Sequence, residues 1–162
     1  MSEQRRPIRD KDAKQFLNAF AENFPSSRDR FKSRKKIEMA VMKDTTVLWI
    51  DDTPLIIKLN GEYYPTLNFS EVLETLPKIV VDMGAVPHVV NGADIMSPGI
   101  RNIQGEFAEN SIVLIVDEKF GKPLAIGKAL LASNAMKATK HGKVIANLHY
   151  VGDPVWNSAK TA

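Results

Sequence analysis

Between Ile79 and Tyr150 the chain sets short, β-branched apolar runs apart by roughly eight to twelve residues, with turn-forming residues in the gaps. That spacing leaves no room for long helices and limits this half to a small barrel or sandwich. Ile79, Val80 and Val81 form a first buried-type strand. Gly84 then opens an apolar stretch around Ala85, Val86, Val89 and Val90, which Gly92 closes. Ile95–Met96 begins another strand that stops at Pro98–Gly99. Ile112 to Val116 is an uninterrupted strand, Asp117 to Lys122 a turn, Leu124 to Leu131 a strand containing Gly127, and Val144 to Tyr150 a last strand.

The first half has a different texture. Ala13, Phe16, Leu17, Phe20 and Phe24 recur at helical spacing, so Lys11 to Phe24 is expected to be a helix with one apolar face, stopped by Pro25. Three β-leaning runs follow: Ile37–Met42, Thr46–Ile50 and Leu55–Leu59. They are separated by Lys43–Asp44 and by Asp51-Asp-Thr-Pro54, and Asn60–Gly61 is a hairpin signal leading into Glu62, Tyr63 and Tyr64. A short helix capped by Ser70 ends at Pro77. We therefore expect two domains, an α+β domain over 1–77 and a mostly β domain over 78–157, with a frayed tail from Asn157.

The 162 residues contain no cysteine, which excludes disulfides, thiolate metal sites and a cysteine nucleophile, and a reducing compartment is the default expectation. No apolar run reaches the ~20 residues of a membrane span, so a soluble cytoplasmic protein is expected. The net charge of +3 is too small to specify a nucleic-acid partner. Its distribution says more: Arg28, Arg30, Lys32, Arg34, Lys35 and Lys36 crowd together, opposed locally only by Asp29. Such a run can neutralise phosphates and give salt-dependent, sequence-blind affinity for RNA. It can equally be a solvated face whose stems lie over apolar surface.

Catalytic patterns are wanting. Gly121-Lys-Pro-Leu-Ala-Ile-Gly-Lys-Ala129 has five residues between its glycines instead of four, and Ala129 where a phosphate loop needs Ser or Thr. His88, His141 and His149 lack metal-ligand spacing, Asp51–Asp52 reads as a turn, and no nucleophile elbow occurs. We expect no enzyme, no cofactor and no metal.

The segment Val80-Val-Asp-Met-Gly-Ala-Val-Pro-His-Val-Val-Asn-Gly-Ala-Asp-Ile-Met-Ser-Pro-Gly-Ile100, then Glu109 to Asp117, Pro123 to Leu131 and Val144 to Asp153, resembles the PUA domain. Leu59-Asn-Gly-Glu62, Tyr64-Pro-Thr-Leu67 and Leu148-His-Tyr150 extend the likeness to the malignant-T-cell-amplified and ligatin proteins, with residues 1–58 matching only loosely. The resemblance implies a PUA pseudo-barrel after an α+β pre-PUA domain. It further implies a non-catalytic RNA-binding role with tRNA or ribosomal RNA in initiation, recycling or RNA processing. The small ribosomal subunit or a translation factor is the implied partner, and a protein–protein interaction module is the alternative.

The resemblance also places the RNA contact at Gly92, Ala93, Asp94, Ile95, Met96, Ser97, Pro98 and Gly99. Local chemistry agrees, since glycines admit φ > 0 and close backbone approach, and exposed N–H groups can donate to phosphate. Plain turn geometry explains the glycines too. Arg101, Lys128 and Lys143 could be brought beside the loop. Tyr150 could stack a base or belong to the core, and His149 could contact phosphate or a 2′-hydroxyl.

Overall fold

The structure, a computed structural model, describes residues 4–33 and 35–160. The chain divides into two compact units: the residues through Thr75 together with the segment from Pro154, and Leu76–Asp153.

In the first unit a strand of two residues, β1 (Arg6–Pro7), precedes helix α1 (Asp10–Asn23). Asp10 and Asp12 sit in the first turn of α1, where the helix dipole favours negative charge. Ala13, Phe16, Phe20 and Ala21 are its buried stripe. Phe20 stacks on Phe24 at 4.7 Å and on Phe69 at 5.6 Å. Pro25 does stop the helix, but the chain continues as a 3₁₀ segment to Phe31, a conformation that Pro tolerates at its start. A meander follows: β2 (Ile37–Met42), β3 (Thr45–Ile50), β4 (Thr53–Leu59) and β5 (Glu62–Pro65), all antiparallel in the order β1-β2-β3-β4-β5. The two-residue turns Asp51–Asp52 and Asn60–Gly61 both have positive φ throughout, the geometry that matches strand twist. Helix α2 (Ser70–Leu73) follows; Phe69 occupies its N-cap position and no side chain caps it, so the expected Ser70 cap is absent.

The second unit contains β6 (Lys78–Val81), α3 (Val86–Val89), β7 (Ile95–Met96), β8 (Ile100–Gln104), β9 (Ile112–Asp117), β10 (Pro123–Ala129), α4 (Ser133–Ala138) and β11 (Lys143–Tyr150). The sheet order is β7-β11-β10-β9-β6-β8, with β6–β9 parallel and the other pairs antiparallel. In a flat sheet the two edge strands would lie about 24 Å apart. Yet only the turn Ser97–Gly99 joins β7 to β8, and it spans at most about 14 Å. The sheet must curl, and this half-barrel encloses Ile79, Val81, Ile115, Val144, Ile145 and Met136. At Gly127, where the β10–β11 register shifts, a Cβ would lie 2.4 Å from the Cγ2 of Ile145.

The final helix, α5 (Pro154–Lys160), belongs to the first unit and packs on β4. The expectation of a second domain reaching residue 157, frayed from Asn157, is corrected on both points. Pro154 is pre-organised for a helix start, and Val155 gives the helix a buried anchor.

Candidate nucleic-acid interface

The Gly92–Gly99 segment is stapled to its own domain. Gly92 has φ +91°, and a Cβ on it would meet Cε1, Cζ and the hydroxyl of Tyr150, each at 3.1 Å. The glycine is thus required by conformation and by the tyrosine ring together. Asn147 on β11 clamps the same stretch. Its amide donates to the carbonyls of Val89 and Ala93, each at 3.0 Å, and its backbone N–H donates to the Asp94 carboxylate at 2.9 Å. Lys143 reaches the other Asp94 oxygen at 3.4 Å.

Further along, Ile95 is buried. The Ser97 hydroxyl donates to the Thr139 carbonyl at 2.5 Å, and the Ser97 N–H donates to the Gly142 carbonyl at 2.8 Å. The Gly99 carbonyl accepts from Asp82 at 2.9 Å. Gly99 does not adopt positive φ; its reason is packing, since a Cβ would lie 3.3 Å from that of Ala85. Ala93, Asp94, Met96 and Pro98 face solvent.

Two sequence expectations are corrected here. The N–H groups of Gly92, Ala93 and Ser97 already donate to Val89, His88 and Gly142, so they are spent on the fold and not available to a phosphate. His149 is 1% exposed and its Nδ1 lies 2.7 Å from the Asp153 carboxylate, which also accepts the Tyr150 N–H. A buried, partnered imidazole cannot reach RNA. Tyr150 is half-buried, packed at the margin of the core with its ring against Gly92.

The expected cations divide between the two ends of the sheet. Lys143 pairs with Met96 across the strands, and the partly buried Lys128 pairs with Ala146. Tyr150 pairs with Ala125 and so lies toward the β9–β10 turn. Arg101 is exposed on β8, 3.5 Å from Asp82 and 3.4 Å from Glu118. An open cleft of about 270 Å³ runs beside Ser97, lined among others by Arg101, Asn102, Met136, Lys137 and Thr139. Among the described residues no group of His, Asp and Glu could hold a metal ion.

In the first unit the basic run is largely countered. Arg30 donates to both Glu71 oxygens, at 2.7 and 3.0 Å, and this pairing raises the pKa of Arg30 and holds the Glu71 carboxyl below its usual range. Lys32 pairs with Asp29 at 2.8 Å, Lys35 with Asp51 at 3.7 Å, and Lys36 with Asp52 at 3.0 Å. Arg28 is exposed on the 3₁₀ segment, and Arg34 lies outside the described residues. Sequence reasoning missed Asn147, and it missed Glu71, Asp51 and Asp52, the acids that pair the basic run besides Asp29.

Comparison with known proteins agrees with this architecture. Residues 77–151 match the PUA domain, and residues 4–70 match a domain of unknown function, DUF1947. An uncharacterized protein of Methanocaldococcus jannaschii is 37% identical over 150 residues, covering 91% of this chain and 90% of that protein. Translation machinery-associated protein 20 of Eremothecium gossypii is 33% identical over 76% of this chain and 74% of its own length. Malignant T-cell-amplified sequence 1 of Rattus norvegicus is 32% identical over 60% of this chain and 56% of its own. A hypothetical protein of Pyrococcus horikoshii superposes with a TM-score of 0.77 at 31% identity, covering 96% of this chain and 99% of that one. The curled sheet, the clamped glycine turn and these alignments agree: the chain belongs to the PUA-domain proteins of the malignant-T-cell-amplified and translation-machinery-associated type, with a DUF1947 region preceding the PUA domain.

Proposed function

We propose that this protein is a non-catalytic RNA-binding factor of translation that works in the cytoplasm. It binds tRNA or ribosomal RNA through its PUA domain and acts in initiation or recycling, with the small ribosomal subunit or a translation factor as partner. The observation that carries this reading is the reach of the alignment. The likeness to translation machinery-associated protein 20 extends over 76% of the chain, through both units, and is not confined to the PUA domain. Exposed Ala93, Asp94, Met96 and Pro98, with Lys143 beside them, supply the contact surface.

A salt series of tRNA affinity tests the proposal. Binding through several phosphates gives a log–log slope of roughly 0.9 per phosphate contacted. No binding to tRNA or ribosomal RNA at about 50 mM salt refutes it.

The pairing of Arg30, Lys32, Lys35 and Lys36 with local acids favours a second role for the first unit. A neutralised run lends little general RNA affinity, so this unit is better suited to a protein partner within the same complex.

A further inference from the structure

The turn between β9 and β10 carries Phe120, which at 73% exposure is the most exposed large apolar side chain among the described residues. One exposed aromatic is ordinary on a protein surface. Three features set this one apart.

The first is rigidity. The Asp117 carboxylate is 4% exposed and accepts the backbone N–H groups of Lys119, Phe120 and Lys122. The Asp117 N–H donates to the Lys122 carbonyl, the Gly121 N–H returns to the Asp117 carbonyl, and Gly121 takes the positive φ that closes the turn. A residue carried on such a loop loses little backbone freedom on binding.

The second is charge. Every acid near the turn is engaged: Asp117 by backbone N–H groups, and Glu118 and Asp82 by Arg101. Lys119 and Lys122 enter no ion pair among the described residues. The Nζ of Lys119 lies 5.2 Å from the Phe120 centroid, over the ring. The turn therefore shows solvent an aromatic ring with one unneutralised lysine over it and a second two residues further along the chain.

The third is what surrounds the ring. A protein hot spot is packed within a rim of contacts that excludes water. Phe120 stands among Glu118, Lys119, Gly121 and Lys122, all exposed, with no apolar rim in the turn. A projecting ring between lysines matches the recognition of single-stranded nucleic acid, in which a base stacks on the aromatic and flanking phosphates meet the cations.

We infer that the Phe120 turn is a second RNA contact, separate from the Gly92–Gly99 segment, which stacks one unpaired base on Phe120 and holds the adjoining phosphates with Lys119 and Lys122. The inference rests on the reading that the protein binds RNA. Strand register puts this turn toward the same end of the sheet as Tyr150, whose ring lies against Gly92 at the start of that segment.

The test uses the full chain with a fluorescein-labelled oligouridylate of about twelve nucleotides and an RNA duplex of similar length. Phe120→Ala is expected to weaken oligouridylate binding roughly five- to a hundredfold, the worth of one stacked base, and to leave the duplex unchanged. Phe120→Trp should restore binding. Lys119→Ala and Lys122→Ala should each lower the salt slope by about 0.7. The exposure of Phe120 predicts unchanged circular dichroism for these variants. Equal loss on both probes, or failure of Trp to restore binding, overturns stacking. Unchanged affinity of Phe120→Ala overturns the contact and leaves the ring to a protein partner. If the wild type binds tRNA but not oligouridylate, the base site fails while the RNA-binding reading stands; if it binds no RNA, both fail.

Discussion

Gly92→Ala separates two costs that the structure superimposes at one position. With φ at +91°, any L side chain is strained there, by about 1–3 kcal/mol. The new Cβ would also sit 3.1 Å from three atoms of Tyr150, inside the roughly 3.5–4.0 Å at which carbon contacts are comfortable. The ring must retreat by about half an ångström from a half-buried position, an overpacking cost of about 1 kcal/mol. Together these make the substitution cost about 2–4 kcal/mol. Tyr150→Leu removes the ring, so in that background Gly92→Ala should lose only the conformational part, and the cycle should show a coupling of about 1 kcal/mol. The readout has to be calorimetry or circular dichroism, because Trp49 and Trp156 both lie in the first unit and report on it alone. A Gly92→Ala protein within about 0.5 kcal/mol of wild type refutes the positive-φ argument. Equal costs in the two backgrounds refute the ring contact.

Other positions give sharper yes-or-no outcomes. Gly127→Ala drives a Cβ to within 2.4 Å of the Ile145 Cγ2, which branches next to the backbone and cannot swing aside; a loss of about 1–3 kcal/mol in urea denaturation is expected. The Asp117 carboxyl is held below its usual range mainly by the Phe120 N–H, then by those of Lys122, Lys119 and Gly121. A depressed folded-state pKa contributes stability that is present above the unfolded value, about 3.9, and is lost as pH falls through the folded value. Acid unfolding of wild type should therefore be steeper below about pH 4 than that of Asp117→Asn, and superimposable curves would exclude this role. Limited proteolysis should yield a resistant fragment running from near Leu76 to near Asp153; cleavage within β9 or β10 at the same rate as at its flanks would contradict two independently stable units.

Much of the architecture was legible because local rules and the final fold agree. The run Ile37–Met42 forms β2 with the expected bounds, and Asn60–Gly61 forms the expected turn, since both depend on residues close in sequence. β8 was missed because Ile100-Arg-Asn-Ile-Gln104 is largely exposed and mostly polar; it is a strand only because the curled sheet brings it against β6. The short helix α4 buries only Ser133 and Met136, too few to show a period. His149 reads as available between Leu148 and Tyr150, yet it is buried and paired with Asp153 just past the end of β11. Gly92 was singled out for its closeness to a ligand, while the group that crowds it is Tyr150, far along the chain. Pairings at long range are what a linear reading cannot supply. The Asp117 turn was locally readable, since Asp commonly caps the N–H groups two or three residues ahead of it.

The placement of α5 has a consequence for how the protein is made. During synthesis β7 has no partner until β11 emerges, because β11 is its neighbour in the sheet. The first unit, although begun earlier, lacks α5 until residues 154–160 have followed. The second unit therefore has all its elements once Asp153 has emerged, before the first unit has gained α5, and the usual N-terminal-first order does not hold. Nascent chains halted before β11 has emerged should expose apolar surface of both units at once and depend on chaperones, and residues 154–160 should then complete the first unit after the second.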